Sequence, residues 1–238
     1  MNRWMKHVAW LAALAMAAPS SAAAQTLFYN GNWNLTDGQT SATNTGNANA
    51  IIFENFVVGG LGWNVTGLFG EFHQKGALWT TANWEIRTGI TAGNAGTLVA
   101  SGIGPTTNAA TGRALGAFTE YRATISGLNL LFAPGTYWLG LAPVGASTAA
   151  GNDIYLSYTA GVNGVNSVLD GDFFVRSVVH NYQEPAAFSN VNFALGVLGT
   201  VVTQQQPPSS SVPEPSSLAL MFAGSAVLAG VARRRRTQ

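Results

Sequence analysis

Between positions 25 and 202 the chain is built from short runs of aromatic and β-branched residues, each broken after a few positions by Gly, Asn, Thr or Pro. That pattern is the mark of strands joined by turns, and it leaves no room for a helix of ordinary length. Nine strands are expected, at 50–58, 62–72, 83–88, 97–101, 120–125, 135–142, 153–158, 173–179 and 191–198. Alternation is legible inside several of them. Trp84 and Ile86 would face one way and Glu85 and Arg87 the other, while Tyr137, Leu139 and Leu141 alternate with Trp138 and Gly140. Half-buried antiparallel strands alternate in this way. The number of strands points to an all-β fold of two stacked sheets. The Gly- and Asn-rich stretch 30–49 reads as a loop, and no strict internal repeat argues for a propeller or solenoid.

Composition limits what such a domain can do. The chain has no cysteine, which excludes disulfides, thiolate catalysis and zinc–thiolate sites. Its 47% hydrophobic content supplies a sizeable core, and with only 9% charged residues its solubility rests on Asn, Thr, Ser and Gln. Arg3, Lys6 and the block at 233–236 lie in the two ends. Without these six and Glu214, five basic residues remain against nine acidic ones. A mildly acidic domain without a basic cluster has no electrostatic route to nucleic-acid phosphates.

Both ends look like processing segments. Arg3 and Lys6 precede an apolar run at 8–18, and Pro19, Ser20 and Ser21 lead to Ala22, Ala23 and Ala24. This order of charged, apolar and small residues is that of a secretory signal, 1–24, cut by signal peptidase between Ala24 and Gln25. An uncleaved anchor is the rival reading, but the run is short for a hydrocarbon core that needs about 20 residues. The domain would then occupy 25–202, followed by a Gln-, Pro- and Ser-rich linker at 203–211 too polar to fold.

Three elements close the chain at 212–236: Val212, Pro213, Glu214 and Pro215, then an apolar run at 218–232, then Arg233, Arg234, Arg235 and Arg236. The prolines hold Glu214 in an extended segment that a protease cleft can accept. As a helix the apolar run would extend about 22 Å at 1.5 Å per residue, short of a roughly 30 Å hydrocarbon core. Flanking serines and snorkelling arginines can make up the difference. Four arginines resist translocation and stay cytoplasmic, which leaves the body of the protein outside.

In these elements and their order the C-terminus resembles that of exported bacterial proteins bearing the Pro-Glu-Pro C-terminal sorting domain, the PEP-CTERM proteins. A sortase signal would need a Leu-Pro-x-Thr-Gly pentapeptide, which is absent, and a plain tail anchor would not need the Pro-Glu-Pro element. The resemblance implies recognition by an exosortase in a Gram-negative bacterium that makes exopolysaccharide. It further implies a cut at or near Pro213, Glu214 and Pro215, and a destination at the cell envelope, outer surface or extracellular matrix. The transmembrane sorting helix would anchor the chain only transiently. The order of Phe53-Glu54-Asn55-Phe56, the 62–70 segment, Trp84-Glu85-Ile86-Arg87 and the 134–139 segment is also similar to a domain common in proteins with this tail. That similarity implies a jelly-roll-like antiparallel β-sandwich.

Candidate chemistry is sparse. His73 and His180 sit in no zinc-protease helix and follow no nucleophile elbow, so no catalytic residue is expected. Glu71 and His73 share one face of a strand, as acid–base partners do and as many solvated strand residues also do. Asp170 and Asp172, with Asp153, could offer carboxylates to a calcium ion, although Asp-Gly is also a favoured turn dipeptide. Asn34-Leu35-Thr36 and Asn64-Val65-Thr66 match a glycosylation acceptor pattern to which no function is attached. The leading reading is a non-enzymatic exported surface protein. A second is a carbohydrate-binding module using surface aromatics, with Trp79 the tryptophan expected to be most exposed. A third is a polysaccharide-active enzyme with paired acids, which a surface scatter of Glu54, Glu71, Glu85, Glu120, Asp153, Asp170 and Asp172 would remove.

Overall fold

The computed structural model describes residues 24–43, 49–76, 78–145, 154–177, 180–183 and 190–204. Most of the expected secretory signal and all of the 212–236 sorting signal lie outside these residues, as do Asp153 and most of the linker. The chain divides into two compact units, Met1–Val202 and Thr203–Gln238, and the described strands belong to the first.

Described residues form two antiparallel sheets. The first has eight strands: β1 (Gln25–Tyr29), β2 (Trp33–Thr40), β5 (Trp63–Gln74), β8 (Thr107–Leu115), β9 (Phe118–Phe132), β11 (Tyr155–Thr159), β14 (Asn192–Phe193) and β15 (Leu195–Val201). Strand β5 is its axis. One edge of β5 pairs with β9, which carries β8 outside it. The other edge pairs with β15 and then β11. Strands β1 and β2 pair in turn with β15 and β11. The second sheet has seven strands: β3 (Ala42–Thr43), β4 (Asn49–Val58), β6 (Thr81–Thr88), β7 (Thr97–Pro105), β10 (Gly135–Pro143), β12 (Phe173–Arg176) and β13 (Asn181–Gln183). Its main path runs β13-β12-β4-β10-β6-β7.

The sheets pack face to face as a sandwich. Phe28 of β1 lies 5.5 Å from Phe56 of β4, and Phe193 of β14 lies 5.1 Å from Phe173 of β12. One core cluster draws Leu68, Phe72, Ile125, Leu156 and Val197 from the first sheet and Ile52, Trp84, Ile86, Leu139 and Leu141 from the second. The expected alternation on β6 holds, with Ala82, Trp84 and Ile86 buried and Asn83, Glu85 and Arg87 half-buried. On β10, Tyr137, Leu139 and Leu141 face the core, while Trp138 and Ala142 join a second cluster with Ile51, Phe53 and Tyr182. Both faces of the centre of the second sheet are therefore covered.

All nine expected strands exist in whole or part. The 30–49 stretch, expected to be a loop, instead contains β2 and β3. Strand β2 has few apolar residues because it is ordered by backbone pairing with β11 rather than by a buried face of its own. Strand β8 escaped detection for the same reason. Its side chains are largely exposed, and its pairing with β9 holds it in place.

A candidate functional site on the outer face of the first sheet

Period two sorts β5 into two rows. Leu68 and Phe72 point into the sandwich, whereas Phe69, Glu71 and His73 point outward. An outward row on a half-exposed sheet is ordinarily solvated, yet these three residues are buried. Tyr29, Ala194 and Arg122 lie against Phe69, and two irregular strands cover Glu71 and His73. In β2, Gly38 pairs with Ser157 and Trp33 with Thr159, so residues 34–37 arch out opposite Tyr158 alone. The arch is tied by Trp33 Nε1 donating to the Asp37 carbonyl at 3.0 Å, and by the Asn34 carboxamide oxygen accepting from the Thr36 amide and hydroxyl. In β8 the register shifts between Ala110 and Ala114, so residues 111–113 bulge opposite Glu120. The bulge turns Thr111 and Arg113 over the outer face.

Between the arch and the β8–β9 turn lies a cleft of about 530 Å³, within the range of ligand pockets. His73 is at its floor, stacked on Trp33 at 4.4 Å and on Tyr155 at 5.4 Å, with Phe118 edge-on at 5.7 Å. Leu115, Gly116 and Ala117 form one rim, Thr36 and Asp37 the other. A Cβ at residue 38 would collide with the His73 imidazole, so Gly38 is what lets the ring sit under the arch. Burial lowers the His73 pKa to about 4, against the opposing pull of Asp37. The imidazole is therefore neutral across ordinary pH, and its Nδ1 lies 3.2 Å from the Ser157 hydroxyl. Ser157 is itself fully buried.

Beside the cleft runs a buried ion network. The Arg113 guanidinium donates to Glu71 at 2.5 Å and to Glu120 at 2.6 Å, and Arg122 donates to Glu71 at 2.6 Å and 3.1 Å. Arg122 also lies over the Phe69 and Tyr29 rings, at 4.4 Å and 4.9 Å from their centroids. Burial raises the Glu120 pKa, and the neighbouring Glu71 charge adds to the rise; Thr111 and Arg113 act in the opposite sense. Burial likewise pushes the Tyr29 hydroxyl far above its ordinary value, reinforced by Glu71.

The expected site residues fall elsewhere. Trp79 is not an exposed sugar platform: it is 3% exposed, edge-on to Phe72 in the main core. Asn108 of β8 holds its carbonyl at 2.6 Å, which draws the segment before β6 inward and seats the indole between the sheets. Asp170 accepts from Asn55 at 2.8 Å and from the Asp172 amide at 3.1 Å, the arrangement of a closed turn. Among the described residues no three His, Cys, Asp or Glu gather at one point where a metal ion could sit. Of the described acids whose surface scatter would remove an enzyme, Asp170 and Asp172 are exposed and Glu85 is half-buried, but the other three are not at the surface. Glu54, Glu71 and Glu120 are fully buried, the last two in one network. Glu54 faces the core and joins the sheets, accepting from Asn30 at 2.8 Å and the Phe193 amide at 3.2 Å. Burial raises its pKa well above the usual carboxylate range, with Asp170 and Asp172 adding to the rise and the two hydrogen bonds opposing it. Of the sequence signals, only the shared face of Glu71 and His73 pointed here. Trp33, Arg113, Phe118, Arg122 and Tyr155 gave none.

The molecule thus belongs to the all-β class of two-sheet sandwiches, here with a terminal segment beyond the sandwich that carries its own signal. Residues 211–236 match the PEP-CTERM protein-sorting motif. No curated protein matches the chain. The matched motif supports export and exosortase sorting to the cell envelope or surface. Among the described residues no helix is long and apolar enough to cross a membrane, and the apolar run at 218–232 lies outside them.

Proposed function

We propose that this protein is a non-enzymatic component of the outer surface or exopolysaccharide matrix of a Gram-negative bacterium. Signal peptidase removes 1–24, and an exosortase then cuts at or near Pro213-Glu214-Pro215. The short transmembrane helix and Arg233 to Arg236 hold the chain at the membrane only until that cut. What remains is a jelly-roll-like domain on a polar linker. The observation that carries this reading is the sorting-motif match at 211–236, placed directly after the linker. The non-enzymatic reading is supported by the state of the acids: Glu71 and Glu120, which a glycoside hydrolase would need free, are bound to Arg113 and Arg122. On this reading no cofactor is required, and the Asp170 carboxylate serves its turn rather than a calcium ion.

Intact mass of the protein recovered from envelope and medium tests the proposal. The expected species begins at Gln25 and ends near Pro213–Pro215, with or without an added attachment. Recovery of the secreted form still carrying its arginine block, in cells with an active exosortase, would overturn it.

A further inference from the structure

The geometry points to the outer-face cleft as a binding site for an uncharged glycan, entered along the rim between Asp37 and Phe118. The inference rests on the envelope delivery proposed above for its biological setting, but its chemistry comes from the cleft. A pyranose ring has apolar C–H faces and a polar hydroxyl edge. The cleft offers both complements: the half-buried rings of Tyr155 and Phe118, backed by the buried Trp33 and His73, and a rim carboxylate and hydroxyl at Asp37 and Thr36. Its 530 Å³ volume has room for a short segment of a glycan chain. Asp37 is the carboxylate of the lining, and the nearby ammonium of Lys75 is held over the Phe118 ring at 5.4 Å. A uronic acid whose carboxylate is brought against Asp37 meets like charge, and Lys75 lies outside the lining, so selection at that edge favours neutral sugars. The wall is prebuilt, since His73 is clamped between two rings and the arch is closed by Trp33 and Asn34. Little ordering is therefore left to oppose binding.

The test is affinity electrophoresis and calorimetry of the full-length protein in mild detergent, with soluble glucan, mannan and galactan as neutral probes and polygalacturonate as the acidic one. At least one neutral polymer is expected to bind and polygalacturonate is not. Phe118→Ala, at a half-buried rim position, is expected to weaken neutral binding about 3- to 10-fold, the worth of one aromatic contact. Asp37→Asn keeps the shape and is expected to narrow the preference against polygalacturonate. Thermal melts of both variants report whether the fold is kept. The inference is overturned if no neutral probe binds the parent, if polygalacturonate binds as tightly, or if well-folded Phe118→Ala binds unchanged. The two readings fail separately. A chain that keeps its arginines but binds a neutral glycan sinks only the sorting proposal, and a trimmed chain that binds none sinks only this one.

Discussion

Acidification should loosen this domain through one side chain. His73 is 4% exposed, clamped between Trp33 and Tyr155, with its Nδ1 against the Ser157 hydroxyl. Burial holds its pKa at about 4, compared with 6.5 for a free imidazole. The folded state therefore refuses a proton that the unfolded chain accepts once the pH drops below 6.5. Stability from this group is complete above 6.5 and is lost as the pH falls through that window toward 4. The gap between the two values corresponds to about 3 kcal/mol. For a domain of this size that is a fall in Tm of about 6–12 °C. The assay is thermal unfolding of the parent and of His73→Phe from neutral pH down to 4. The variant keeps a ring in the stack but cannot titrate, and the carboxylate contributions common to both proteins cancel in the difference. The parent is expected to lose about 3 kcal/mol more than the variant across the window. Parallel pH profiles would refute the reasoning, because they would mean that the folded protein accommodates the imidazolium.

Two further perturbations probe the scaffold of the same face. Arg113→Met removes the cation shared by Glu71 and Glu120, both fully buried, and should cost about 2–3 kcal/mol in urea unfolding, the lower end for a partly exposed partner. Adding Glu120→Gln should recover most of that loss, since the stranded charge goes with it. Gly196→Ala places a methyl group in the Phe69 ring, which lies beneath Arg122 and beside Tyr29. A loss of about 1–3 kcal/mol is expected, relieved in part by Phe69→Leu in the same chain.

Strand identity was legible in most strands that carry their own apolar face, though not in β1, whose buried Leu27, Phe28 and Tyr29 form too short a run to show alternation. The alternation of Trp84 and Ile86 against Glu85 and Arg87, or of Tyr137, Leu139 and Leu141, reports a sheet with one side in the core. The sorting signal was legible too, because its proline pair, apolar run and arginine block act through local chemistry in a fixed order. Strands β2 and β8 were not, because their order comes from hydrogen bonds to β11 and β9, and a polar edge strand looks like a loop until its partner is known. Trp79 misled for a related reason: its Gly-, Ala- and Thr-rich surroundings suggest a surface, and only the approach of Asn108 turns it inward.

The residues alone thus determined a two-sheet β class, the absence of thiol chemistry and the C-terminal address, all of which depend on composition or on neighbours along the chain. The cleft and the ion network were decided only by the tertiary structure. Trp33 meets His73, and Arg113 meets Glu71 and Glu120, through a four-residue arch and a bulge whose register is set by strands distant in sequence. Periodicity can say which face a side chain leaves from, but only long-range pairing says what comes to lie on top of it.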